Sequence, residues 1–179
     1  MTLLAEVVAC LKLAQSPYAM IGATAMAALG ASRSTQDLDI LTTDREVLKR
    51  SFWKRLESLG ATVDVRTGDI QDPLAGVVRV TRKGDRPVDA IVGEAPWQER
   101  ILSEASPHRV ADIEVPIVDE VGLILLKIYA GGPQDRWDIE QLLAIAPDRQ
   151  RLTELIDERV VSLPPRTHRL WDRIKEPEI

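Results

Sequence analysis

Two carboxylates separated by one residue are the feature of this sequence with the clearest chemical potential. Asp37 and Asp39 flank Leu38 in the segment TQDLDILTT, and residues i and i+2 of a β-strand point to the same side. Two like charges this close repel each other unless a cation lies between them. Because carboxylate oxygens suit Mg²⁺ or Mn²⁺, the tripeptide predicts a divalent metal site.

A third acid, Asp89, lies in VDAIV, a segment with the same alternation of apolar and polar residues. If that strand neighbours the strand of Asp37 and Asp39, three carboxylates converge, which is the set of ligands used for two-metal phosphoryl transfer. The alternative is that Asp37 is a turn residue and that Asp39 and Asp89 face solvent. An Asp-x-Asp motif alone does not decide between these, because it is short and common.

The segment upstream of the acids, IGATAMAALGASRSTQDLDIL, has features of a phosphate-binding site. A short strand ends at Gly22, where a glycine lets the backbone approach a ligand closely, and a helix follows. Its first N–H groups, from Ala23 on, would point at an anion, Thr24 could add a hydroxyl, and Arg33 could pair with phosphate. The alternatives are tight strand-to-helix packing for Gly22 and a surface ion pair for Arg33.

A second polar group lies in KIYAGGPQDRWDIEQLL. Lys127 interrupts an apolar helix, so its ammonium group must either reach solvent or meet an acid. Asp135 and Asp138 follow Pro133, in the first turns of the next helix, where the helix dipole favours acids. Lys127 either forms a structural salt bridge there or contacts a bound phosphate, and the sequence leaves both open.

Together these motifs resemble the signature of minimal nucleotidyltransferases of the DNA polymerase β superfamily, most closely that of AbiEii-type toxin nucleotidyltransferases and their uncharacterised relatives. Those families show a Gly-Gly or Gly-Ser pair, a helix, G-x-x-R-x-T/S and then D-x-D. The matching residues are Gly22, Gly30, Arg33, Thr35, Asp37 and Asp39. Lys127, Asp135 and Asp138 match a later motif, a lysine followed by an acidic D-x-x-D run. Ala23 departs from the pattern, which has Gly or Ser at that position.

The resemblance implies an α+β nucleotidyltransferase fold, with a twisted mixed sheet and packed helices over residues 1–118 and a helical subdomain with a charged tail over 119–179. It implies transfer of a nucleoside monophosphate from an NTP to an acceptor hydroxyl of RNA, protein or a small molecule. It further implies Mg²⁺ or Mn²⁺ held by Asp37, Asp39 and Asp89, with the other motif residues binding substrate. A toxin of this kind would have a cognate antitoxin as partner.

Two other classes of function remain open. A catalytically degenerate nucleotidyltransferase-fold protein would bind a nucleotide or partner without chemistry, and Ala23 favours this class. A glycosyltransferase could use D-x-D to hold a metal and a nucleotide-sugar, although the short chain and the lead-in from glycine through helix to Arg33 argue against it. Four basic residues of the predicted hairpin could flank the site and meet a nucleic-acid acceptor: Arg79, Arg82, Lys83 and Arg86.

The composition of the sequence excludes several classes of function. The 179 residues carry a net charge of −5, which argues against a uniformly basic nucleic-acid binder. The single cysteine, Cys10, excludes an intramolecular disulfide, and two distant histidines, His108 and His168, give no zinc-ligand spacing. No secretory signal is visible in these residues, and no apolar run among them approaches the roughly 20 residues that span a bilayer. We therefore expect a cytoplasmic protein that does not enter a membrane.

Periodicity also predicts elements outside the motifs. The segment from Asp44 to Gly60 is predicted to be one helix over residues 45–59, capped by Asp44. The segment RVADIEVPIV is predicted to be a single strand, and residues 166–179 are predicted to be a charged tail that could form a short helix.

Overall fold

The computed structural model of the chain describes residues 1–31, 36–68 and 74–175. The chain forms two compact units, one of Met1–Thr24 with Ser34–Val118 and the other of Ala25–Arg33 with Asp119–Ile179. None of the helices in the described residues has the length and apolar character needed to cross a lipid bilayer.

A seven-stranded mixed sheet dominates the first unit as far as it is described. In chain order the strands are β1 (Tyr18–Met20), β2 (Leu38–Thr42), β3 (Thr62–Thr67), β4 (Leu74–Thr81), β5 (Val88–Gly93), β6 (Ser106–Val110) and β7 (Ile113–Ile117). Their order across the sheet is β3-β4-β5-β2-β1-β7-β6. The β2/β5 and β1/β7 pairs are parallel and the other neighbours are antiparallel.

The helices of the chain are α1 (Leu3–Leu13), α2 (Gly22–Ala28), α3 (Lys54–Ser58), α4 (Pro96–Glu104), α5 (Glu120–Ala130), α6 (Pro133–Ile145), α7 (Arg149–Val160) and α8 (Pro165–Lys175). The unit boundary at residue 24 falls within α2, so its first residues belong to the first unit and the rest to the second.

One face of the sheet forms the core of the first unit, since strand residues alternate between the two faces. The buried face consists of apolar side chains with almost no exposure, among them Ile40, Val78, Val80, Val88, Ala90 and Val92. Helix α1 buries Leu3, Val7 and Leu11 and contacts β5. The alternate residues of β2, β4 and β5 therefore lie on the opposite face, which is only partly buried and carries the acids.

The prediction of one regular helix over residues 45–59 is wrong. The structure has two short 3₁₀ turns, Arg45–Leu48 and Arg50–Trp53, followed by α3, with an extended residue, Lys49, between the turns. Val47, Trp53 and Leu56 are all fully buried, yet residues six apart lie on different sides of an α-helix. The break at Lys49 lets all three face the core, and the Trp53 indole donates a hydrogen bond to the Val47 carbonyl at 2.8 Å.

The segment predicted as a single strand over 109–118 is also different in the structure. It forms most of a hairpin, in which β6 and β7 are joined by the two-residue turn Ala111-Asp112. Ala111 has a φ of +52°, a left-handed conformation that such turns usually assign to Gly, Asn or Asp. The sequence therefore lacked the usual hairpin signal.

Four helices, α5 to α8, make up most of the second unit. Helix α5 is apolar on nearly all sides and buried, as expected for a helix enclosed by others, and it contacts α6, α7 and α8. The predicted charged tail, for which a short helix was one interpretation, contains the 11-residue helix α8. Thr167, Trp171 and Ile174 form its buried face, and the Trp171 indole donates a hydrogen bond to Asp157 at 2.7 Å.

Candidate active site

The two acids of the alternating strands lie side by side on the open face of the sheet. Strands β2 and β5 are parallel neighbours, and their register places Asp39 directly opposite Asp89. The flanking residues Leu38 and Val88 form the next pair and point into the core. Asp37 immediately precedes β2. The local alternation of both strands thus brings two of the three predicted metal ligands together.

Arg79 connects two of the acids. It lies on β4, directly opposite Asp89 across an antiparallel pair, and donates from Nη1 to Asp89 Oδ2 at 2.9 Å and from Nη2 to Asp37 Oδ1 at 3.1 Å. The hydrogen bond to Asp37 and the charge of Asp89 raise the pKa of Arg79. Sequence reasoning placed Arg79 beside the site but missed this contact, because the register of β4 against β5 cannot be read from alternation alone.

Asp89 is the more enclosed of the two carboxylates that form an ion pair with Arg79. Its side chain is 15% exposed, and within the described structure its buried Oδ1 has no hydrogen-bond partner. Burial raises the pKa of Asp89, and the charge of Asp37 acts in the same direction, while Arg79 and Arg66 only partly oppose the shift. An additional cation at Oδ1 would stabilise the ionised form.

The donor chemistry of these acids fits a divalent metal ion. Asp37, Asp39 and Asp89 supply hard oxygen ligands, and the unpartnered Oδ1 of Asp89 is a buried acceptor that such an ion would satisfy. In the present geometry, however, no three Asp, Glu, His or Cys side chains among residues 1–31, 36–68 and 74–175 are arranged to hold a metal ion. The guanidinium of Arg79 supplies the cationic partner of Asp37 and Asp89 instead.

Gly22, at the start of α2, is in close contact with the Asp39 carboxylate. A Cβ at this position would overlap Asp39 Oδ2, and the φ of Gly22 is +60°, which disfavours any other residue. The backbone reinforces the contact, since the N–H of Ile21 donates to the Asp39 carbonyl at 3.0 Å. The glycine that the sequence suggested for phosphate approach is therefore already required by the position of Asp39.

Other residues predicted to bind phosphate are placed differently. The Ala23 side chain is buried, at 3% exposure, so only its backbone amide could meet a ligand, and Thr24 is half-buried. Arg33 and Thr35 lie outside the described residues.

We expect Gly22→Ala to lower both stability and substrate binding. Enforcing the left-handed conformation on alanine costs about 1–3 kcal/mol, and the new methyl group must displace the Asp39 carboxylate. Gly60→Ala is the matched control, since Gly60 has a φ of +84° and no atom within 4 Å of its Cβ position. Urea unfolding of both variants measures the difference. Equal losses would show that Asp39 moves aside at no cost and that the contact is unimportant.

Two of the hairpin arginines make hydrogen bonds within the unit, and contact of the hairpin with a nucleic-acid acceptor stays a prediction. Arg82 donates to Glu6 and to Asp85, both at 2.8 Å. Arg86 donates to the backbone carbonyls of Gln36 and Asp37, both at 3.2 Å, and so positions the segment that leads into β2.

In the second unit, Lys127, Asp135 and Asp138 do come together. Lys127 Nζ lies 2.5 Å from Asp138 Oδ2 and 3.4 Å from Asp135 Oδ1. The side chains of Lys127 and Asp138 are 6% and 0% exposed, while Asp135 also accepts from the N–H of Gly132 at 3.1 Å. The geometry favours the structural salt bridge over a lysine directed at solvent, and contact with a phosphate stays a prediction.

Comparison with solved structures establishes the fold. The antibiotic-resistance factor ANT(2″)-Ia aligns over 87% of this chain and 88% of its own, with a TM-score of 0.54 and 15% identity. Two further structures align with TM-scores of 0.49: the lincosamide antibiotic adenylyltransferase LnuA, at 13% identity over 80% of this chain and 96% of its own, and an antigenic nucleotidyltransferase-like protein from Paracoccidioides brasiliensis, at 18% identity over 90% and 87%. No protein-family model matches the sequence, and no curated protein matches it.

The likeness to the first of these structures shows that the chain has the α+β nucleotidyltransferase fold, as the sequence predicted: a mixed sheet with helices, followed by a helical segment. The narrower resemblance to AbiEii-type toxins finds no counterpart in these structures.

Proposed function

We propose that this protein is a metal-dependent nucleotidyltransferase that moves a nucleoside monophosphate from an NTP to an acceptor hydroxyl. The observation that carries the proposal is the register pair of Asp39 and Asp89 on the open face of the sheet, with Gly22 against Asp39 and a buried, unpartnered oxygen on Asp89. The nucleotidyltransferase fold supports this chemistry but does not by itself specify it.

The three acids divide into two roles in this proposal. Asp37 and Asp39 would hold the metal that accompanies the triphosphate, and Asp89 would hold the metal near the acceptor. When bound, Mg²⁺ or Mn²⁺ supplies charge neutralisation along the triphosphate. Asp89 would accept the proton of the acceptor hydroxyl, a role that its raised pKa favours. The acceptor oxygen then bonds to the α-phosphorus as the bond between the α-phosphorus and its bridging oxygen breaks, and pyrophosphate leaves with the electron pair.

The start of α2 would orient the nucleotide. Gly22 allows the chain to pass beside Asp39 without a side chain between them. Ala23 would contribute its backbone amide and Thr24 its hydroxyl, and Arg33 would pair with a phosphate. The family resemblance also assigns substrate binding to Lys127, Asp135 and Asp138. This role would be additional to the ion pairs that these residues form with one another.

The acceptor can be RNA, a protein or a small molecule. The solved structure that establishes the fold is an antibiotic-resistance factor, which adds antibiotics to the acceptors to be tested. The toxin hypothesis predicts RNA or protein as acceptor and a cognate antitoxin that blocks the reaction.

A catalytically degenerate protein of the same fold is the second candidate. Two features favour it: the Ala23 side chain is buried at a position where the families that the sequence resembles have Gly or Ser, and Arg79 bonds two of the three acids. Such a protein would bind a nucleotide without transferring it.

Transfer is tested by incubating the protein with Mg²⁺ and each α-labelled NTP in turn. The acceptors are total RNA, the protein itself and a panel of antibiotics. Label should appear on one acceptor class and should not appear when EDTA is present from the start of the reaction. Absence of label on every acceptor, together with retained nucleotide binding, would favour the degenerate protein.

We expect NTP to stabilise the protein in the presence of Mg²⁺ and far less in its absence. The acids repel a triphosphate until a cation neutralises them. At a nucleotide concentration ten times Kd the gain is about 1.4 kcal/mol, which corresponds to roughly 3–6 °C in Tm for a chain of this size. Thermal melts with Mg²⁺, with NTP, with both and with EDTA provide the measurement. No shift at millimolar Mg²⁺ and NTP would contradict the proposed site.

A further inference from the structure

Four charged residues form a row across the open face of the sheet. Successive register pairs connect Asp64 on β3 with Arg79 on β4, Arg79 with Asp89 on β5, and Asp89 with Asp39 on β2. Arg79 therefore has an acid on either side, and cross-strand neighbours lie within about 4.5–5.5 Å at Cβ. In the structure the guanidinium bonds the acids on one side, Asp89 and Asp37.

Asp64, the acid on the other side of Arg79, forms only a weak ion pair with another residue. Asp64 is 51% exposed and pairs with Arg66, which is 76% exposed, at 2.9 Å. Exposed pairs of this kind contribute little to stability. Arg79 is itself 39% exposed, so its side chain has room to turn from one neighbouring acid to the other without a change in the strands.

We propose that Arg79 is the resident counter-cation of the metal-free site and that a divalent cation displaces its guanidinium from Asp37 and Asp89 to Asp64. The inference rests on the proposed function, because that function brings the metal to these acids. Arg79 acts as a positioning residue: it holds the acids in place before the metal binds and does not touch the reacting atoms.

Electrostatics favours this exchange. Arg79 Nη2 donates to Asp37 Oδ1, so its positive charge lies beside an acid that would ligate the metal. A guanidinium only donates and so cannot ligate the metal itself. A divalent cation between the acids would repel the guanidinium at close range. The buried Oδ1 of Asp89, which Arg79 leaves unbonded, offers the incoming cation a first ligand.

Mn²⁺ binding tests the proposal without any assay of activity. The EPR signal of free Mn²⁺ gives the Kd of wild type, Arg79→Gln and Asp64→Asn. Arg50→Gln is the control, because it removes the same charge from an exposed arginine that pairs with Glu57 in the same unit. Melting temperatures in EDTA accompany each titration.

Removing the resident cation should tighten Mn²⁺ binding about tenfold in Arg79→Gln, since an opposing cation shifts ion binding to a carboxylate by that order. Its melting temperature in EDTA should fall, because Asp37 and Asp89 then repel each other unscreened. Asp64→Asn should weaken Mn²⁺ binding about threefold, because the displaced Arg79 guanidinium then has no carboxylate at position 64 to pair with. Its melting temperature should not change. Arg50→Gln should bind as wild type does.

Equal or weaker Mn²⁺ binding by Arg79→Gln would overturn the displacement, since Arg79 would then support the ligands rather than compete. If Arg79→Gln fails to fold, Asp64→Asn decides alone, and wild-type affinity in that variant overturns the transfer to Asp64. If neither wild type nor Arg79→Gln binds Mn²⁺, the proposed metal-dependent function fails as well. If wild type binds Mn²⁺ and Arg79→Gln binds it with the same affinity, only the proposed displacement of Arg79 is overturned. The proposed metal-dependent function is then unaffected.

Discussion

Replacing Asp39 with asparagine is expected to lower nucleotide transfer by roughly 10³-fold or more, because the metal ions of the proposed site would lose a charged ligand. Asp89→Asn should have an effect of similar size, since it removes a residue proposed as both a metal ligand and the proton acceptor. Both variants should stay folded. The amide has the size of the carboxylate. At position 89 it also removes a negative charge that burial disfavours, since burial raises the pKa of Asp89.

Asp112→Asn is the matched control for these variants, because Asp112 is an exposed acid in the turn between β6 and β7 of the same unit. Initial rates with the acceptor identified by labelling should be unchanged in this variant. Circular dichroism and urea unfolding check the fold of all three. Transfer by Asp39→Asn at the wild-type rate would mean that these carboxylates are not catalytic, and the active-site assignment would have to be abandoned.

The sequence was most informative where local alternation decides which way a side chain points. The segments around Asp39 and Asp89 alternate regularly, and in the structure both acids lie on the open face while Leu38 and Val88 are buried. The alternation arises from the two-residue period of a strand, so it needs no information from distant residues. The same holds for α5 and α6, whose ends were marked by Asp119, Gly131 and Pro133.

Features that depend on pairing between distant segments were not predictable in the same way. Arg79 lies opposite Asp89 only because of the register of β4 against β5, and that register includes a shift between Leu74 and Gly76. A slip by one residue would have placed Arg79 on the core face. Its bonds to Asp37 and Asp89 are therefore a result of tertiary structure, although the arginine itself was visible in the sequence.

Core packing explains the misjudged helix over 45–59. Its composition and charge pattern fit an amphipathic helix, but Val47 and Trp53 both have to reach the interior of the first unit. Helical spacing cannot bring residues six positions apart to one face. Tertiary burial outweighed local propensity there, and two 3₁₀ turns with a short helix are the result.

Breaking the buried ion pair of the second unit should have the largest effect on stability. Lys127→Met leaves the Asp138 carboxylate, which is 0% exposed, without its cation. Removing one partner of a buried pair costs about 3–5 kcal/mol. The hydrogen bond that Gln134 donates to Asp138 at 3.3 Å remains but cannot neutralise the charge. Urea unfolding followed by circular dichroism at helical wavelengths measures the loss.

The double variant Lys127→Met/Asp138→Leu separates the two roles that the sequence left open for Lys127. Apolar replacement of both partners of a buried pair is often neutral, so the double variant should recover most of the stability lost in Lys127→Met. If the pair is purely structural, Mg²⁺ and NTP should raise the melting temperature of the double variant as much as that of wild type. If Lys127 also contacts the triphosphate, the double variant will be stable but will lose that shift. Failure of the double variant to recover stability would instead show that the charges themselves, through Asp135 and its bond to the Gly132 N–H, maintain the junction between α5 and α6.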